Sequence, residues 1–264
     1  MSELKGIYAL WYRETKVFLR ERSRIISSII NPLLWLLIIG GGLGTVVSFG
    51  GINYQTFIYP GILIQTALFS SVFFGVYIVW DKKIDFMKEV LVAPMRRTSI
   101  FVGKILGGST DTFLQVLILF VIGYVFMVTH IMTGLHLTIL SVLISLAFIL
   151  VTTIGLVSIG LIIGSQMESP EGFQLIISFL IFPLFFLSGA LFPISNLPNW
   201  LAPFIFVNPV SYAVDGIRTV LVGSYQKVMV GNIQLTPMVD FLVVALFSII
   251  MILIGTYSFK KMKI

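Results

Sequence analysis

Residues 137–164 read LTILSVLISLAFILVTTIGLVSIGLIIG, with no Asp, Glu, Lys, Arg or His anywhere in the run. As an α-helix rising 1.5 Å per residue, such a segment reaches about 42 Å, more than the roughly 30 Å of hydrocarbon in a bilayer. A helix of a water-soluble protein keeps one polar face. This one has none, so the surroundings it fits are lipid.

Five segments of the same kind flank it: Ile25–Ser48, Phe57–Trp80, Ile105–Thr129, Phe173–Phe192 and Val239–Phe259. Each holds at most one charged side chain, and in hydrocarbon only a helix satisfies every backbone group within such a segment. Composition agrees. The 264 residues are 58% hydrophobic and 11% charged, with a mean hydropathy of +1.05; a soluble domain carries about 25% charged residues. The expected fold class is an all-α membrane protein, with six spans in a single transmembrane domain over residues 1–264.

The Lys and Arg residues set the orientation. Six lie in residues 1–24, six between Asp81 and Lys104, and three at the C-terminus (Lys260, Lys261 and Lys263). Only Arg218 and Lys227 fall elsewhere, so a six-span chain with both ends in the cytoplasm puts 15 of 17 cations on one side. The net charge of +6 is thus a topology signal and gives no reason to invoke nucleic acid. The first 24 residues mix six cations with three carboxylates and lack an apolar core, so no cleavable signal peptide is expected.

Four places depart from a plain bundle. Leu4–Leu19 puts Leu4, Ile7, Tyr8, Trp11, Phe18 and Leu19 roughly on one helical face, the pattern of a helix lying in the cytoplasmic interface. Asp81–Lys104 is a cytoplasmic loop with room for a short helix, and Glu168–Glu171 is a tight cytoplasmic turn. The stretch Phe192–Arg218 is apolar yet broken by Pro193, Pro198, Pro203 and Pro209. Its segment Leu197–Val207 is too short to span, so residues 193–236 are expected to form a re-entrant or interfacial region on the outer side.

Several chemistries are excluded. There are no cysteines, hence no thiolate sites. Gly103-Lys104 lacks the upstream glycine and the Ser/Thr of a phosphate-binding loop, and no His-Glu-x-x-His or Gly-x-Ser-x-Gly motif occurs. His130 and His136 flank a short external loop. Two carboxylates lie inside spans: Asp111, near the cytoplasmic start of the third, and Asp240, near the outer start of the sixth. Burial of a charge in lipid makes each a candidate for the transport pathway, against the alternative of snorkelling or capping near an interface. Gly40-Gly41-Gly42 with Gly44 suits close helix packing, including a dimer contact.

Between Asp81 and Lys104, Phe86, Met87, Val90 and Leu91 recur at helical spacing before Pro94. The charged side of this short helix carries Lys82, Asp85 and Glu89, and Thr98 or Ser99 is positioned to cap the helix that follows. Such a helix is either a lever for a soluble partner or a solvated loop on the underside of the bundle.

The run Asp85–Lys104 resembles the Gly-Phe-Leu-Lys-Glu-Met-Leu-Val-Ala-Pro-x-x-Arg…Gly-Lys signature of type-2 permeases of the ATP-binding cassette family, in the daunorubicin-resistance and nodulation-type exporter group. A second block agrees: Leu187-Ser188-Gly189-Ala190-Leu191-Phe192-Pro193-Ile194, then Leu197-Pro198, Trp200-Leu201, Asn208-Pro209 and Tyr212–Arg218. Residues 81–85 depart from the family pattern, in which Asp-Arg-Glu and then a glycine are common. The resemblance implies a permease paired as a homo- or heterodimer on two copies of a separate ATPase, with ATP and Mg bound there and no cofactor here. It implies coupling to that ATPase through Asp85, Phe86, Met87, Lys88, Glu89, Leu91, Pro94 and Arg97. It also implies an outer gate at Phe192, Pro193, Asn208, Pro209, Asp215 and Arg218. The cargo route would run along spans one, two and five past Trp35, Phe69, Phe73, Phe74, Phe179 and Phe186, favouring a hydrophobic or amphipathic drug, lipid or glycan leaving the cytoplasm. An intramembrane lipid-modifying enzyme and a proton-coupled carrier are the alternatives; the first lacks a nucleophile or metal cluster, the second midplane carboxylates.

Overall fold

The computed structural model describes residues 3–44, 48–49, 52–194, 198–223, 229–230 and 233–261. Leu197, Lys227 and Lys263, used above in the topology argument, lie outside the described residues.

The chain is almost wholly helical. Helix α1 (Glu3–Arg20) is followed by α2 (Arg22–Leu34), which continues through a π-helical segment (Trp35–Gly40) into α3 (Gly41–Gly44). Next come α4 (Tyr54–Phe73), α5 (Val76–Lys83), α6 (Phe86–Val92), α7 (Arg97–Val128), α8 (Ile139–Gln166) and α9 (Pro170–Phe186). The last are α10 (Ala202–Val207), α11 (Pro209–Val222) and α12 (Pro237–Lys261). Two minimal hairpins pair Ser48–Phe49 with Ile52–Asn53 and Met229–Val230 with Ile233–Gln234.

Among the described residues five helical segments are long and apolar enough to cross a bilayer: Arg22–Gly44, Tyr54–Lys83, Arg97–Val128, Ile139–Gln166 and Pro237–Lys261. The segment expected over Phe173–Phe192 is a 17-residue helix, Pro170–Phe186. It starts on the Ser169 cap, whose Oγ accepts from the Gly172 amide at 3.1 Å, and ends at Leu187. Gly189 then takes a left-handed φ of 72°, which reverses the chain.

The expected loop from Asp81 to Lys104 is much shorter in fact. Span two stays helical to Lys83 and α7 begins at Arg97, so Asp81 and Lys104 both belong to helices. Neither Thr98 nor Ser99 caps α7. Arg96 holds the N-cap position without a side-chain bond, and Ser99 donates instead to Glu3.

The core is built on α4, of which most residues are buried, and on α8. At the α4–α5 junction, Gly75 meets Gly160 and Gly164 of α8 backbone to backbone. A Cβ on Gly75 or Gly160 would overlap the carbonyl of Gly160 or Val72. Small residues of this kind let membrane helices approach closely. Replacing either Gly75 or Gly160 by Ala is expected to cost about 1–3 kcal/mol, as overpacking does. Thermal unfolding of the purified protein in detergent measures it.

The candidate coupling site and the outer turn

Helix α1 lies on α7, and the contact follows a spacing of four. Leu10, Glu14 and Phe18 are buried in turn, while Leu4, Tyr8 and Leu19, expected on the face lying in the membrane interface, are exposed. Gly103 and Gly107 of α7 make the room. A Cβ on Gly107 would come within 2.6 Å of Glu14 Cβ, and one on Gly103 within 3.0 Å of Leu10 Cβ. Trp11 Nε1 donates to Thr110 Oγ1 at 2.9 Å one turn further along.

This docking carries a carboxylate, Glu14, into the interior, and two cations answer it and Asp81. Lys104, fully buried, donates to Glu14 Oε1 at 2.8 Å and to Asp81 Oδ2. Arg13 donates to Glu14 Oε1 at 2.7 Å and to Asp81 Oδ1 at 2.9 Å. Two cations and two carboxylates from α1, α5 and α7 thus form a neutral cluster. Isolated charges at that depth would cost several kcal/mol each.

The cluster reaches the short helix directly. The Arg13 guanidinium lies 3.9 Å from the centroid of the Phe86 ring, and Met87 and Val90 are buried beside Leu10, Ile78 and Phe101. The apolar stripe of α6 is therefore packed on the protein's own underside, which corrects the expectation that Met87 presents itself to a partner. What α6 turns outward is Asp85, Lys88, Glu89 and Val92, with Ile84 beside them; Ile84 and Val92 are 65% and 85% exposed. Phe86 and Leu91 are half-buried, and Pro94 is exposed in the turn before α7. Arg97 donates to the Lys260 carbonyl at 3.1 Å, tying α7 to the end of α12.

Asp85 has a left-handed φ of 59°. It stands where the family signature has glycine, the residue that takes this conformation without a Cβ penalty. The departure noted in the sequence thus falls at a backbone position that explains the glycine. Lys82, next to it, donates to the carbonyls of Gly164, Ser165 and Met167, closing the C-terminal end of α8. At the far end of α1, the Ser99 hydroxyl first, and then the Arg96 amide, hold the Glu3 carboxyl below the usual carboxylate range. Its folded pKa being lowered, this tie is present above the ordinary value of about 4.3 and is lost as pH falls through the folded one.

Of the residues expected to form a gate, Arg218 is held by backbone carbonyls and has Asp215 beside it. Its Nε donates to the Phe57 carbonyl at 3.2 Å, and Nη2 donates to the carbonyls of Gly189 and Ala190 at 2.9 and 3.1 Å. The guanidinium also lies 4.1 Å from the Phe57 ring centroid. Asp215, buried one turn earlier, lends its negative charge to Arg218. Asn208 caps α11 by accepting from the Val210 amide at 3.0 Å and donates to the Leu184 carbonyl at 2.7 Å; Pro209 follows as the first helical residue. Pro193 is buried and Phe192 half-exposed. Among the described residues, the stretch expected to be re-entrant holds a 3₁₀ turn at Asn199–Leu201, the short α10, and α11.

Both intramembrane carboxylates are buried. Asp111 neither snorkels nor caps: it is 1% exposed and paired with Arg24 of α2 at 3.5 Å. Asp240 is fully buried in the first turn of α12. Of the aromatic residues assigned to the route, Phe69 and Phe73 border a cavity between α2, α4 and α7. Phe74 is instead buried against Gly107 and Gly108, and Phe179 is 83% exposed.

A family model described as the ABC-2 type transporter matches residues 5–222. The chain belongs to the ABC-2 type transporter family. Its relatives include the "Putative transport permease ycf38" of Cyanophora paradoxa, 29% identical over 220 residues, covering 80% of this chain and 73% of that protein. "Nodulation protein J" of Rhizobium leguminosarum bv. viciae is 23% identical, with 82% of each chain covered. The "Probable doxorubicin resistance ABC transporter permease protein DrrC" of Mycobacterium tuberculosis H37Rv is 25% identical over 78% of this chain and 72% of its own. The protein is thus a multi-pass membrane permease, a transport subunit, and its family implies an ABC ATPase as partner.

Sequence reasoning missed the ion cluster. Its signal was present in the Leu10–Glu14–Phe18 spacing, a carboxylate on an otherwise apolar stripe. Lys104→Met would leave Glu14 and Asp81 buried against Arg13 alone, at a cost of about 3–5 kcal/mol. Adding Glu14→Gln and Asp81→Asn should recover most of it, as thermal denaturation of the single and triple variants would report. At position 85 the order of stability is expected to be Gly ≥ Asp > Ala, with Ala losing about 1 kcal/mol; the same measurement decides it.

Proposed function

We propose that this chain is the membrane half of an ATP-driven exporter in the cytoplasmic membrane, pairing with a second permease on two ATPase subunits that bind ATP and Mg. On this reading Pro170–Phe186 and the turn after it complete a sixth crossing, since 17 residues of helix reach about 25 Å. Both ends then lie in the cytoplasm, as the cation distribution favours.

The observation that carries the reading is the shape of α6. Its inner face is clamped to α1, α5 and α7, and its outer face is an exposed row of Asp85, Lys88, Glu89 and Val92. A short helix held rigidly at its back and free at its front transmits a push without deforming. Docking in a partner's groove uses such a face, with Val92 and Ile84 as apolar anchors and the charges setting register. The names of the nodulation and doxorubicin-resistance relatives support export.

The test separates the two faces of α6. Ile84→Asp and Val92→Asp should abolish co-purification of the ATPase and transport-linked ATP hydrolysis while leaving membrane insertion and melting temperature intact. Met87→Asp should instead destabilise the protein itself. ATPase association unchanged in the Ile84→Asp/Val92→Asp double variant would refute the assignment.

A further inference from the structure

A cavity of about 560 Å³ opens where three spans end together. Lys82 and Lys83 close Tyr54–Lys83, Gln166 closes Ile139–Gln166 and Lys261 closes Pro237–Lys261; all four border it. A space framed by span ends lies at the depth of lipid head groups. The remaining wall is α6 with its cap, through Asp85, Met87, Lys88 and Leu91.

The charges around this space do not balance. Four lysines border it against two carboxylates, Asp85 and Glu168. Asp85 is taken by Lys88 at 2.7 Å. Glu168 acts on Lys82, which also donates to three carbonyls at the end of α8. Lys83 and Lys261 are left over, both exposed and without an ion-pair partner among the described residues. Each lies over an aromatic ring instead: Lys83 Nζ is 5.5 Å from the Trp80 centroid, and Lys261 Nζ is 4.4 Å from that of Tyr257. Trp and Tyr at this depth are the residues that border head groups.

The helix beneath Lys261 decides the kind of anion. Leu242, Leu246, Leu253 and Tyr257 are exposed along one side of α12, recurring every turn or two, and Lys261 is the next member of that stripe. A surface that is apolar along its length and cationic at its end matches a molecule with an alkyl chain and a negative head. A soluble anion would use the lysines and leave the stripe uncovered. Basic pockets between membrane helices at this level suit lipid phosphates.

We propose that this cavity binds the phosphate of an anionic phospholipid, with Lys83 and Lys261 as its ion-pair partners and an acyl chain along α12. The lipid is a resident ligand joining the base of α6 to the end of α12, and the proposal does not depend on what the chain carries.

The probe is phosphatidylglycerol, offered to the full chain in detergent together with an equal amount of phosphatidylcholine of the same chains. Native mass spectrometry counts the lipids retained. Phosphatidylglycerol should be held in preference. Lys83→Gln or Lys261→Gln should each weaken that retention about fivefold and the pair about thirtyfold, the worth of one and two lysines at an anionic head group. Lys83→Arg with Lys261→Arg should restore it. Lys16→Gln with Arg20→Gln, which removes two exposed cations of α1 that do not border the cavity, should leave it unchanged. Since neither Lys83 nor Lys261 holds a carboxylate, the melting temperature of the Gln pair without lipid should match that of the natural chain. Equal retention of the two lipids, an equal loss in the α1 pair, no recovery with arginine, or a lower melting temperature for the Gln pair would overturn the proposal. Inorganic phosphate bound in place of phosphatidylglycerol, when both are offered, would make this a free-anion site and overturn it too. ATPase co-purification should persist in the Gln pair; its loss with lipid retention unchanged would assign the lysines to the partner instead.

Discussion

A fully buried lysine cannot stand alone in a membrane protein, and Lys104 does not. It is held between Glu14 and Asp81, with Arg13 completing the balance of charge. The rest of this end of the bundle depends on this arrangement. Without it, α1 would have no reason to bring a carboxylate under the bundle, and the junction of spans two and three would lose its brace. The brace sits directly behind α6, so the seven-residue helix between these spans is a rigid projection with a supported base.

The outer end is fixed by the same logic with a different partner set. Arg218 donates to three backbone carbonyls, that of Phe57 near the start of α4 and those of Gly189 and Ala190 in the reversal after α9. Between the two braces, Gly75, Gly160 and Gly164 bring α4, α5 and α8 into backbone contact. Both ends of span two are thus fastened, and its middle is packed too tightly to bend independently. A displacement applied at α6 has a stiff path to the outer turn. The soft element is the first span, which carries Pro32 and a π-helical segment at Trp35–Gly40 and leaves much of its apolar surface exposed. π-Segments of this kind often mark functional sites.

Much of this was legible in the sequence, because the membrane imposes a strong rule. Uncharged runs of twenty or more residues located the long helices to within a few positions, except at the start of α7, which begins at Arg97 rather than Ile105. Pro94 and Pro209 marked ends correctly. Periodicity also found α6, but it could not say which way the apolar stripe faced. A stripe packed on the protein's own underside and one offered to a partner read alike, and only the exposure of Ile84 and Val92 separates them. The interfacial character expected of α1 concealed its contact with α7, since Leu4 and Tyr8 are as apolar as Leu10 and Phe18. Lys104 read as a loop cation because a charge at the end of a span is ordinarily solvated. Its burial is a tertiary fact, set by the glycines opposite Glu14.

The central claim is that α1 and α6 move as one body when the partner closes on ATP. The natural chain has no cysteine, so spin labels can be placed uniquely. Labels at Tyr12→Cys and Glu89→Cys, both exposed, would report the distance between the two helices in the permease–ATPase complex; a second pair, at Glu89→Cys and Leu140→Cys, would report from lever to outer end. On trapping with ATP, pulsed electron paramagnetic resonance should find the first distance unchanged and the second shifted. A shift in the first as large as that in the second would mean that the ion cluster does not join the two helices, and the account would fall.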